Sequence, residues 1–114
     1  MTPRFAVLAH DWPHPHFDLL IEHGAKCLTW RLPTWPLPES PVAIERIADH
    51  RKHYLTYEGP LDCDRGTVAR VDCGVVEKMN VNDLTVTVDF AGHMGTGTVE
   101  LCDESGRSLL FRRR

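Results

Sequence analysis

No window of this chain keeps a helical hydrophobic period over ten residues, whereas apolar and polar side chains alternate one for one along segment after segment. Such alternation places successive side chains on opposite faces of a strand. The clearest case is residues 83–90, with Leu84, Val86, Val88 and Phe90 directed inward and Thr85, Thr87 and Asp89 outward. Strands are likewise expected over residues 4–10, 17–22, 26–32, 66–73, 97–102 and 108–112. Residues 42–47 suit a strand or a turn of helix equally. Four prolines between positions 33 and 41 require an extended loop. The polar residues 49–54 read as a loop over the core. Short strands at regular spacing, punctuated by Gly, Pro and Asp turns, predict an all-β chain. Its expected architecture is a small antiparallel β-barrel or sandwich with long loops, forming a single domain over residues 1–114.

Composition narrows the function. The 42% apolar and 25% charged content is that of a globular domain, and no apolar run approaches the length of a membrane-spanning helix. The N-terminal residues lack the hydrophobic stretch of a secretory signal, so a cytoplasmic, non-membrane protein is expected. Cys27, Cys63, Cys73 and Cys102 are scattered without a Cys-x-x-Cys pair, which points to free thiols rather than a zinc knuckle or redox motif. A formal net charge of −3 and a pI near 6.1 argue against coating nucleic acid by charge alone. The terminal Arg112, Arg113 and Arg114 are expected to be a solvated chain end.

One stretch, residues 10–22, carries the chemistry. His10, His14 and His16 precede a strand in which His16, Asp18, Leu20 and Glu22 face one way and Phe17, Leu19 and Ile21 the other. His16 and Asp18 then stand about 7 Å apart at their Cα atoms. The loop through Trp12, Pro13 and Pro15 allows His10 to return to the same side. Two imidazoles and a carboxylate suit Mn²⁺, Fe²⁺ or Zn²⁺ with positions left open for water or substrate. The plain alternative makes the histidines polar loop residues and Asp18 a turn cap. His50 and Tyr54 form a second pair that alone carries little weight. Trp12, Trp30 and Trp35 suit base stacking, although buried tryptophans are more often core. There is no phosphate-binding glycine loop, nucleophile elbow or dinucleotide fingerprint.

His10, then His16-Phe17-Asp18, Glu22, the Trp30 to Pro33 element, and Asp49-His50 with Tyr54, Tyr57, Glu58 and Gly59 occur in an order that resembles the 3′-phosphoesterase module of bacterial DNA ligase D. The likeness runs from about Phe5 to Gly74 and is weaker beyond. It implies a compact β-barrel that removes 3′-phosphates and 3′-ribonucleotides from DNA ends with Mn²⁺ during end-joining repair, with a DNA or RNA-tipped DNA 3′ end and other repair proteins as partners. By the same resemblance His10, His16 and Asp18 are metal ligands for Mn²⁺ (alternatively Zn²⁺), and His50 and Tyr54 act beside the phosphate. The chain departs from the family in having Leu20 and Thr34 where a phosphate-gripping Arg and a Lys are usual. The stretch from Pro60 to Gly66 is also reduced. Arg31, Arg51 or Arg65 are the cations left to substitute, with Arg51 and Arg65 taken as substrate-binding. Three functions follow: a phosphoesterase with weakened or altered activity, a non-catalytic metal-binding barrel that holds a nucleic acid end or repair partner, and an Fe²⁺ oxygenase, which the ligand set alone allows.

Overall fold

The computed structural model describes residues 2–36, 40–82, 85–104 and 108–113, with side chains to Cys102. Among these residues nine strands form: β1 Arg4–His10, β2 His16–His23, β3 Lys26–Leu32, β4 Val42–Arg51, β5 Gly59–Pro60, β6 Thr67–Val81, β7 Thr85–Gly92, β8 Gly95–Glu104 and β9 Ser108–Arg113. A single 3-10 turn, Lys52–Leu55, follows β4. Every pairing is antiparallel, in the order β1-β2-β3-β4-β9-β8-β7-β6-β5. A further pairing of β1 with β6 brings the curled sheet back on itself, while β5 attaches to β6 outside that ring. The chain is thus all-β and barrel-like.

The long β6 makes this return possible by changing partners. Its first half pairs with β1 as far as Val75, and its second half pairs with β7 from Gly74 onward. A Cβ at Gly74 would stand 2.0 Å from the Ala91 carbonyl oxygen, so the crossing point demands glycine.

The main core fills the inside of the curl. Phe5 and Val7 of β1, Leu19 and Ile21 of β2, Leu28, Trp30 and Leu32 of β3, and Val86, Val88 and Phe90 of β7 belong to it. At one end Trp35 packs against Phe90 and donates its indole N–H to buried Asp72, at 3.0 Å. A second, smaller cluster lies on the outer face, where Ala6, Leu8, Leu20, Cys27 and Val68 are roofed by Leu55. This outer layer explains why β1 reads as a continuous apolar run: it is covered on both faces, as a strand with one wet face is not. In β7, by contrast, Thr85, Thr87 and Asp89 remain only partly buried and the alternation is clean.

Residues 49–51 belong to β4, and residues 52–55 form the 3-10 turn, instead of making a loop. The polar sequence is held in strand form by its pairing to β3, Lys26 with Arg51 and Cys27 with His50. Residues 42–47, open between helix and strand, are strand because 45–47 pair with β3 and 42–44 pair with β9. Trp30 is core at 1% exposure, but Trp12 is 44% exposed. The inward placement expected of Leu84 falls outside the described residues, as do the side chains of the terminal arginines.

Candidate metal centre

The site is built on the outer face of β1, β2 and β3, at the end where the small apolar cluster gives way to polar residues. The register sets His10 opposite His16, Leu8 opposite Asp18, and Asp18 opposite Arg31. Directly opposed side chains on one face lie about 5 Å apart at Cβ. His10, Asp18 and Arg31 are thereby grouped with no long-range coincidence beyond strand pairing.

His16 and Asp18 are buried, at 8% and 3% exposure. His16 Nε2 lies 3.2 Å from Asp18 Oδ1, and His10 Nδ1 lies 3.4 Å from Asp18 Oδ2. The opposite ring nitrogens face backbone carbonyls: His16 Nδ1 is 2.7 Å from the His14 oxygen, and His10 Nε2 is 2.9 Å from the Arg65 oxygen. A carbonyl only accepts, so each of these outer nitrogens carries the proton and donates. In the neutral rings the inner nitrogens then present lone pairs toward a carboxylate that also only accepts. His16 Nε2 and Asp18 Oδ1 are accordingly buried without a hydrogen-bond donor.

A proton on one ring or a metal ion among the three groups would relieve these facing acceptors. A second proton on each ring would place two imidazolium ions with ring centroids 4.8 Å apart beside one carboxylate. A single divalent cation could coordinate all three groups at once. The donor atoms lie within 4.8 Å of one another, against the about 3–4 Å spacing of ligands bound to one ion. Histidines that ligate metals characteristically donate their second N–H to a carbonyl or carboxylate, which fixes tautomer and ring orientation.

The carbonyl that holds His10 is itself clamped. Asp11 accepts from the Thr67 amide at 2.7 Å and from the Thr67 hydroxyl at 2.9 Å, tying the start of β6 to the histidine loop. The Thr67 amide bond, ahead of the hydroxyl bond, holds the Asp11 carboxyl below its ordinary value. Gly66 lies between them with φ +79°, and a Cβ there would stand 2.2 Å from Asp11 Oδ1. Only glycine lets the loop approach closely enough to present the Arg65 carbonyl.

A cleft of about 340 Å³ opens over the cluster, and His10, Asp18, His50, Arg51, Tyr54 and Arg65 all line it. His16 sits behind it. His50 reaches the cleft through a β-bulge in β4: the register moves from Thr29 opposite Ile47 to Cys27 opposite His50. Without the extra residue, Asp49 would take that place on the alternating face; re-aiming a side chain is a common use of a bulge. His50 Nδ1 donates to the Ala48 carbonyl at 2.9 Å, and its ring meets Tyr54 edge-on at 5.8 Å. Arg70 supports this region by donating to the Leu55 carbonyl at 3.2 Å, while its amide donates to Glu58 at 3.0 Å.

The sequence-designated residues therefore converge, with two qualifications. His14 contributes its carbonyl, and its exposed side chain takes no part. Leu20 shares the outer face with Asp18 but is fully buried in the apolar cluster and does not line the cleft. Asp11, Thr67 and the Arg65 carbonyl were not legible, because backbone acceptors and a clamp spanning 56 residues leave no local pattern.

Fold and site together define a small antiparallel β-barrel-like domain with a two-histidine, one-carboxylate cluster that could hold a metal ion. No family model matches the chain, and no curated protein matches it.

Proposed function

We propose that the chain binds a divalent metal ion through His10, His16 and Asp18 and hydrolyses phosphate esters at nucleic acid 3′ ends. The observation that carries the metal part is the convergence of two imidazole lone pairs and a carboxylate whose outer partners are backbone carbonyls. The phosphoesterase part rests on the resemblance to the ligase D module, supported by the presence of His50 and Tyr54 in the same cleft. Mn²⁺ is the ion proposed, with Zn²⁺ as the alternative, since imidazole and carboxylate suit both.

When bound, such an ion polarises a phosphoryl oxygen and makes a coordinated water more acidic. Water adds to phosphorus, the bond to the 3′ oxygen breaks, and inorganic phosphate and a 3′-hydroxyl result. His50 has one nitrogen pinned by Ala48, and the other is available to carry a proton to the departing oxygen. The Tyr54 hydroxyl holds a phosphate oxygen. Arg51 and Arg65 line the cleft as cations for the strand, and exposed Trp12, also in the lining, offers a face to the terminal base. The proposed setting is cytoplasmic end-joining repair, with a DNA or RNA-tipped DNA 3′ end as partner.

Titration calorimetry with Mn²⁺ tests the site. Asp18→Ala and His16→Ala should each lower affinity by at least about tenfold, the range for loss of a ligand or its support. His14→Ala and His23→Ala should bind as the parent does. Equal binding by Asp18→Ala would overturn the metal assignment. Metal binding without release of phosphate from a 3′-phosphorylated DNA end would favour the non-catalytic barrel. The fully buried Leu20, in the place of the family's arginine, is the observation behind that second reading.

A further inference from the structure

Arg31 stands out in the cleft wall. It is the cross-strand partner of Asp18 on the outer face, its Nε is buried, and that N–H has no hydrogen-bond partner. Among the described residues its salt-bridge contact is to Glu45, 4.0 Å from Nη1, with the two side chains 39% and 63% exposed. A contact so long and wet holds the guanidinium weakly. Asp18, opposite it on β2, is turned to His10 and His16.

The other cations of the wall are differently occupied. Arg65 donates its Nε to the Asp62 carbonyl at 3.0 Å, and Arg51 lies over the Tyr54 ring at 5.7 Å. An unsatisfied guanidinium N–H is costly unless an acceptor arrives, and a planar fork of donors matches an oxyanion with two or more oxygens.

We propose that Arg31 is the anion-gripping residue of this cleft, binding a phosphate monoester opposite the metal cluster. This deepens the reading of the site given above and rests on it. A phosphate placed between the cluster and Arg31 would meet a metal-side charge on one flank and the guanidinium on the other. The cation is delivered from β3, across the strand ladder from Asp18, while position 20 stays apolar under Leu55.

The test measures three quantities on the full chain: Mn²⁺ binding, binding of inorganic phosphate to the Mn²⁺-loaded protein, and turnover of a 3′-phosphorylated oligodeoxynucleotide. Arg31→Gln should leave Mn²⁺ affinity within about threefold of the parent, since Arg31 is not a ligand, and weaken phosphate binding by at least about tenfold. Arg31→Lys should recover part of that loss, which a merely structural role would not predict. An unchanged melting transition in Arg31→Lys controls for folding. If the grip serves a polynucleotide end, KM for the oligonucleotide should rise in step with the loss of phosphate affinity; if the ligand is free phosphate alone, only the phosphate titration should respond, and either source supports the assignment. Equal phosphate affinity in the parent and Arg31→Gln, with Mn²⁺ bound in both, would overturn the role of Arg31 alone. A parent that binds no Mn²⁺ would instead overturn the metal centre on which it rests.

Discussion

Single residues of the sheet are held by charge as well as by packing. Glu22, at the far end of β2, accepts from the Arg4 amide at 3.0 Å and from its guanidinium at 3.2 Å, and lies 3.1 Å from Lys52 Nζ. The Arg4 hydrogen bond, outweighing partial burial, lowers its pKa from 4.5 to about 2. The folded state thus binds fewer protons here than the unfolded chain. The corresponding stability is present above the ordinary value and is lost as pH falls from 4.5 toward about 2. Glu22→Gln should cost about 1 kcal/mol at neutral pH, given the exposure of both cationic partners. The variant should also lose less stability than the parent between pH 5 and pH 2. Urea unfolding across that range checks it; parallel curves would show that Glu22 is not a source of the acid sensitivity. Cys27 is another case of environment over type, its thiol pushed up to about 11 mainly by burial.

At the scale of the strand, β2 carries two incompatible duties along one face. Asp18 opens toward the cleft, whereas Leu20, two residues on, is sealed beneath Leu55 at 0% exposure. Alternation alone leads to the expectation that an arginine at position 20 would project into the metal site. The packed cluster makes a different outcome the expected one. Leu20→Arg should destabilise the chain by about 3–5 kcal/mol, because it buries an unpaired charge, and should not restore phosphate turnover. Leu20→Met, which conserves volume, should cost less than about 1.5 kcal/mol. Thermal unfolding of the two variants decides between these outcomes, and an arginine variant as stable as the methionine one would mean that the roof over β2 opens readily.

For the whole molecule, the ring of strands depends on β9, which joins β4 through residues 42–44 and β8 through residues 99–104. Without it β4 and β8 would each gain an open edge, and the core inside the curl would be exposed along one side. Domains of this size hold only about 5–15 kcal/mol of net stability. A chain ended after Glu104 is therefore expected to lose its cooperative urea transition at 25 °C, a sharp transition in the truncated chain being the contrary result. Among the described residues no helix is long and apolar enough to cross a membrane.

By itself the sequence determined what is local. Period-two alternation yields β2, β3 and β7 within a residue or two, because burial of one strand face is written into neighbouring positions. It also grouped His10, His16 and Asp18, since a loop and a strand at short separation leave few ways to arrange them. Tertiary structure decided the rest. Pairing to β3 turned the polar residues 49–51 into strand, and a bulge there set His50 into the cleft. The β1–β6 ladder and the Asp11–Thr67 clamp brought the Arg65 carbonyl behind His10. Leu55, from a distant 3-10 turn, closed over Leu20. Each of these depends on partners far along the chain, and a backbone carbonyl or a neighbouring strand has no signature in the residues it acts upon.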